Sequence, residues 1–223
     1  MKIPRRISTV IINSLKGGVV PRIGLPYITV GRETEIDALL HDVDLIAEGG
    51  ASFRFIAGRY GSGKSFLLQT IRNYAMDRNF VVADADLSPE RRLQGTRGQG
   101  LATYKELIQN MSTRTRPEGG DDGFGRLVEK KIYAVIHSLN EMVHGFDFAR
   151  LLTIYYRAAL DGDDGEKAKV VKWFRGEYAN KIEARAELGV NIVITDDDWY
   201  EYIKLFAMFL KKAGYSGLLI LID

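Results

Sequence analysis

The octapeptide GRYGSGKS at residues 58–65 constrains this chain more than any other feature, because it meets G-x-x-x-x-G-K-[ST] at every fixed position. Such a loop needs a strand leading in and a helix leading out, and the flanks carry both signals. SFRFIA at 52–57 reads as a short strand, 58–63 as a tight loop, and 64–76 as a helix with Phe66, Leu67 and Ile71 facing inward. FVVAD at 80–84 reads as a second strand. Strand, loop, helix, strand is the βαβ unit of a parallel sheet with a right-handed crossover, so the expected fold class is α/β with a P-loop NTPase parallel sheet and flanking helices.

The residue types at this spacing suit polyphosphate. Backbone N–H groups turned into a glycine-rich loop, together with the positive end of the following helix, meet dense negative charge. Lys64 is expected to reach the β- and γ-phosphates of ATP or GTP, and the Ser65 hydroxyl to ligate Mg2+. The nucleotide contacts then comprise Gly58, Arg59, Tyr60, Gly61, Ser62, Gly63, Lys64, Ser65 and Phe66. The competing reading, a glycine-rich turn that merely caps a helix, leaves Lys64 and Ser65 unexplained.

GLLILID at 217–223 is a continuous apolar run ending in a carboxylate, the pattern of a central strand buried on both faces. Its Asp223 is the candidate to hold the metal through a water molecule, making Lys64 and Asp223 the catalytic candidates and Ser65 and Asp223 the metal candidates. Asp84 and Asp86, after the strand at 80–84, compete for that role but are better placed to terminate their strand. A strand that delivers a carboxylate to a sheet edge normally continues into a loop, so the sheet is expected to be incomplete at the C-terminus and the chain to be part of a longer protein.

Between these strands the pattern turns helical. Residues 4–16 suit a short amphipathic helix followed by a Gly- and Pro-rich connector, and Ile36, Leu39, Leu40, Val43 and Ile46 form a helical stripe that stops at Gly49 and Gly50. From about 100 to 214 further stripes appear, including Leu127, Ile132, Val135, Ile136 and Leu139, then Leu151, Leu152, Tyr155 and Ala159. Only 191–194 has a competing strand pattern. Thr195 with Asp196, Asp197 and Asp198 suits a helix start. The expected organisation is an N-terminal helix and connector (1–30), a P-loop core (31–99), a mostly helical insertion (100–214) and a returning strand (215–223).

Other features are weaker. SPERRLQGTRG at 88–98 with Lys105, Arg114 and Arg116 is the most basic region. It is a candidate DNA contact (91–116), a solvated loop paired with Glu90 and Glu106, or a contact to a neighbouring subunit's phosphates. Since 31 Lys and Arg oppose 29 Asp and Glu, net charge alone argues neither for nor against a nucleic-acid partner. His41, His137 and His144 are too scattered for a metal site, and DGDDGE at 161–166 fails calcium-loop spacing, leaving a polar interhelical turn. Trp173 and Trp199 are expected to pack the helical part. The absence of cysteine fits a reducing cytoplasm, and no apolar run approaches the ~20 residues of a membrane helix, so a cytoplasmic protein is expected.

Several stretches together resemble a family: GVVPRIG at 18–24, VGRETEI at 30–36, residues 49–65, VADADLSPERRL at 82–93 and GQGLATY at 98–104. They are similar to the BrxD-type ATP-binding proteins of BREX phage-defence systems, a branch of the AAA+ and related P-loop (ASCE-like) ATPases, chiefly over the first ~115 residues. The resemblance implies ATP rather than GTP, with Val30, Gly31 and Arg32 near the adenine or ribose. It also implies an ATPase whose parent protein acts with DNA or defence-complex proteins, possible as a homo-oligomer. A nucleotide-dependent switch with little turnover is the alternative function, and a small-molecule kinase is a weaker third.

Overall fold

The computed structural model describes residues 3–21, 23–94, 98–115, 117, 139 and 142–223. Leu127, Ile132, Val135 and Ile136 of the first helical stripe, together with His137, Arg97 and Arg116, lie outside the described residues. The chain divides into two compact units, Met1–Arg78 with Asp223, and Asn79–Ile222.

In the first unit, α1 (Arg5–Lys16) precedes a 3-10 turn (Leu25–Tyr27), α2 (Glu33–Ala47) and α3 (Lys64–Asp77). The helical stripe of α2 buries Ile36 and Val43, seven residues apart and hence on one face, while α3 buries Leu67, Ile71, Ala75 and Met76. Helices α2 and α3 pack on each other, and Arg78 pairs with Asp44 at 3.3 Å.

The segment 52–57 departs from expectation: it forms no strand. A strand is defined by its ladder, and no backbone hydrogen bond ties 52–57 to another described residue. Its two phenylalanines are consequently outside any core, with Phe53 75% and Phe55 86% exposed. Their rings meet edge to face at 4.9 Å, and Arg54 anchors the segment through a paired contact with Asp42 on α2.

The second unit holds a parallel two-stranded sheet of β1 (Phe80–Ala85) and β2 (Gly217–Ile222), in register from Phe80 opposite Gly217 to Ala85 opposite Ile222. Val82 also exchanges backbone bonds with Ser112 on the antiparallel side. The expectation of burial on both faces holds for β1 rather than β2. Phe80, Val81, Val82 and Ala83 are essentially inaccessible, whereas in β2 Leu218, Leu219 and Ile220 are only partly buried. The reason is position: among the described residues β2 is paired on one side only.

Around this sheet lie α4 (Gln99–Gln109), α5 (Gly145–Asp161), α6 (Asp164–Phe174), α7 (Lys181–Leu188) and α8 (Trp199–Lys212). Their shared core is aromatic. Phe148 meets Phe174 and Phe206 edge to face, each at 5.0 Å, and Trp173 meets Phe174 at 5.4 Å and Tyr202 at 5.5 Å. Tyr104, fully buried, satisfies its hydroxyl by donating to the Phe174 carbonyl at 2.6 Å. Trp173 and Trp199 belong to this core, as expected. Residues 191–194 form no strand, and within the 161–166 stretch Gly162 and Asp163 make the turn between α5 and α6, where Asp163 caps α6 by accepting from the Glu166 N–H at 2.9 Å.

Asp196 performs a task its position in the chain does not suggest. Its carboxylate accepts from the N–H groups of Gly98 (2.7 Å) and Leu101 (2.8 Å), capping α4 from outside it. Gly100 allows this approach, because a Cβ there would lie 2.6 Å from the Trp199 Nε1 and 3.0 Å from the Asp196 carboxylate.

Candidate nucleotide-phosphate site

Residues 58–63 form an irregular loop that runs directly into the first turn of α3. The turn is made possible by Gly61 (φ 76°) and Gly63 (φ 85°), both in the left-handed region that side chains with a Cβ rarely adopt. At Gly58 the constraint is proximity instead, since a Cβ would run into the Ser62 hydroxyl. A backbone bond from the Ser62 N–H to the Arg59 carbonyl, 3.1 Å, closes the loop. No side chain caps the N-terminus of α3, so its leading amides keep the partial positive charge of a helix start.

Lys64 curls back over this loop, its ammonium donating to the carbonyls of Gly58 (3.0 Å) and Arg59 (3.1 Å). Ser65 is exposed on the first turn, and its hydroxyl donates to the carboxylate of Asp223, the residue immediately after β2. Of the three aspartates weighed from the sequence, Asp223 is the one that meets Ser65. Arg32, at the N-cap position of α2, reaches the loop from 30 residues away, its Nη2 donating to the Ser62 carbonyl while its Nη1 donates to Glu35 at 2.8 Å. The Glu35 carboxyl is held below the usual carboxylate range, first by its backbone amide and then by Arg32.

The remaining expected contacts are more scattered. Tyr60 is fully exposed, Val30 is 84% exposed, and nothing lies near the open side of Gly31. Phe66 is half-buried in α3. The contact between Arg32 and Ser62 was not anticipated; the sequence signal for it is the i, i+3 spacing of Arg32 and Glu35, which marks Arg32 as oriented by α2 but says nothing of its other partner.

The donor set of Ser65 and Asp223 consists of hard oxygens, and among the described residues no three His, Cys, Asp or Glu side chains form a metal cage. A hydroxyl and one carboxylate fit Mg2+, which binds through few protein ligands and completes its shell with water and phosphate oxygens.

One arginine of the basic region has local partners. Arg91 pairs with Glu106 at 2.6 Å and donates to the Asp86 carbonyl at 2.9 Å, and the Ser88 hydroxyl donates to Glu90 at 2.9 Å. No helix among the described residues is long and apolar enough to cross a membrane.

A family model described as BREX system ATP-binding protein BrxC/D matches residues 3–121 and 120–223. The chain belongs to that family. The match extends through the helical part and β2, well past the stretches that carry the resemblance in the sequence. No curated protein and no solved structure matches this BrxC/D family member.

Proposed function

We propose that this chain binds ATP with Mg2+ through residues 58–65 and serves as the ATPase module of a BREX phage-defence protein. The observation that carries the reading is the gathering, within one compact unit, of the glycine-turned loop, the Lys64 ammonium on that loop, and the Ser65 hydroxyl bonded to Asp223. Membership of a family described as ATP-binding supports it.

The chemistry follows from what each group exchanges on binding. Lys64 gives up two neutral carbonyl acceptors for anionic phosphate oxygens, which adds charge–charge attraction to the hydrogen bonds its ammonium makes. Lys64 then offsets negative charge on the γ-phosphoryl group as water attacks in line. Ser65, as a direct ligand, and Asp223, through a water, would hold Mg2+, and one hydrogen bond already brings these two side chains together. The chemistry such an ion would supply is neutralisation of phosphate charge. Val30 and Gly31 are proposed to border the adenine or ribose, and DNA, defence-complex proteins or further copies of the chain are its proposed partners.

Calorimetric titration with a non-hydrolysable ATP analogue and Mg2+, beside a GTP analogue and a Lys64→Ala variant, tests this. Binding that prefers the ATP analogue and disappears in Lys64→Ala is expected. A folded wild-type chain that yields no heat, or a Lys64→Ala variant that binds as well as wild type, would sink it.

A further inference from the structure

We infer that Arg32 is a positioning residue for the phosphate loop, acting through the carbonyl of Ser62 rather than through the base or sugar of a nucleotide. The inference rests on the proposed nucleotide site and deepens it.

Two contacts of one nitrogen place the guanidinium beside the Ser62–Gly63 peptide. Nη2 donates to the Ser62 carbonyl, and a Cβ built on Gly63 would sit 3.6 Å from the same nitrogen. A trans peptide is a rigid plane whose C=O and N–H point in opposite directions, so fixing the carbonyl fixes the amide as well. With the Ser62 carbonyl held toward Arg32, the Gly63 N–H is turned away from it, at the head of the run of amides that opens α3. Gly63, at φ 85°, is free enough in its own torsions that this plane needs an outside restraint.

The restraint is itself anchored. The backbone of Arg32 is fixed at the start of α2, where its carbonyl accepts from the Ile36 N–H at 2.9 Å, and its other guanidinium nitrogen is held by Glu35 at 2.8 Å. The Glu35 carboxylate offsets most of the guanidinium charge felt nearby, so the effect of Arg32 on the loop is geometric more than electrostatic. A planar fork that satisfies Ser62 and Glu35 together is a task for arginine, since the lysine ammonium is a point charge on a flexible stem.

The test separates phosphate from nucleoside. Wild type, Lys64→Ala and Arg32→Ala are compared for two Mg2+-containing probes, a non-hydrolysable ATP analogue and inorganic tripolyphosphate, read by competition against a fluorescent ATP analogue. A positioning role lowers both affinities of Arg32→Ala by the same factor, about tenfold where the unrestrained peptide forfeits one amide hydrogen bond to phosphate. A loss confined to the ATP analogue, no loss for either probe, or a wild type that ignores tripolyphosphate overturns the inference. Should Arg32→Ala fail to fold, Arg32→Lys keeps the charge and stem without the fork, and carries the same comparison with the same outcomes. A wild type that binds neither probe overturns the nucleotide reading along with this one. Wild-type binding that needs Lys64 but is indifferent to Arg32 overturns this one alone.

Discussion

Lys64 and Ser65 are neighbours whose partners lie at opposite sequence distances. Lys64 satisfies itself on carbonyls five and six residues back, whereas Ser65 reaches a carboxylate 158 residues ahead. Both choices were legible to different degrees. The motif spells the lysine and serine, and once that motif is granted an apolar run closing on a carboxylate nominates Asp223. The role of Arg32 was not legible in the same way: a loop has no register from which to read which carbonyl a long side chain will find. The pairing of Ser65 with Asp223 leads to a prediction about metal. Replacing Asp223 with Asn should weaken the Mg2+ dependence of ATP-analogue binding by about 10- to 100-fold, the range for partners that act on a metal through its bound water. Ser65→Ala, which removes the proposed direct ligand, should lose at least as much. Titrating Mg2+ at fixed analogue concentration measures both, and an unchanged Mg2+ requirement in either variant removes that residue from the metal site.

At the scale of elements, periodicity located every helix of the first unit to within a few residues but could not say whether a strand finds a partner. SFRFIA has the composition of a strand, yet 52–57 lacks a ladder among the described residues, while β1 is paired on one side with β2 and bridged on the other to Ser112. Backbone amides of 52–57 should therefore exchange with solvent orders of magnitude faster than those of Phe80–Ala85, as hydrogen-exchange mass spectrometry at matched times will report. Equal protection would mean that 52–57 is laddered in solution. The Arg54 hydrogen bond to Asp42 holds that carboxyl below its ordinary range. Its stabilisation is thus present above the ordinary carboxylate pKa and lost as pH falls through the lowered value. The difference in melting temperature between wild type and Arg54→Ala should be small at neutral pH and vanish in acid; a difference that persists there would assign Arg54 another role. The four residues Thr195 to Asp198 illustrate a further limit. Their composition correctly announces α8, but Asp198 accepts from the Thr195 N–H at 2.7 Å while Asp196 caps a helix 95 residues earlier in the chain. Asp196→Ala should cost about 1–2 kcal/mol, the usual value of an N-cap, measured by urea unfolding. A cost near zero would mean that water replaces the cap.

For the molecule as a whole, the sequence announced an α/β chain rich in helix, and the parallel pairing of Phe80–Ala85 with Gly217–Ile222 bears that out. What it could not convey is how unevenly the core is shared: the aromatic cluster built on Phe148, Trp173, Phe174, Tyr202 and Phe206 lies entirely in the Asn79–Ile222 unit, while the 58–65 loop lies in the other. Helical stripes reveal which face is apolar but not which stripes meet, since that depends on side-chain shapes from helices far apart in the chain. The division makes ligand binding a local reporter. A ligand that binds only the native state stabilises it by RT ln(1 + [L]/Kd), about 2.7 kcal/mol at a hundredfold excess over Kd. If the nucleotide is held by residues 58–65, the ATP analogue with Mg2+ should slow exchange most strongly at the amides of 58–77, where the loop and α3 supply the groups that face the phosphates. Lys64→Ala should show no such gain at the same analogue concentration. Protection that rises equally in Lys64→Ala, or that appears only around the aromatic cluster, would move the ligand to the other unit and take the phosphate-loop assignment with it.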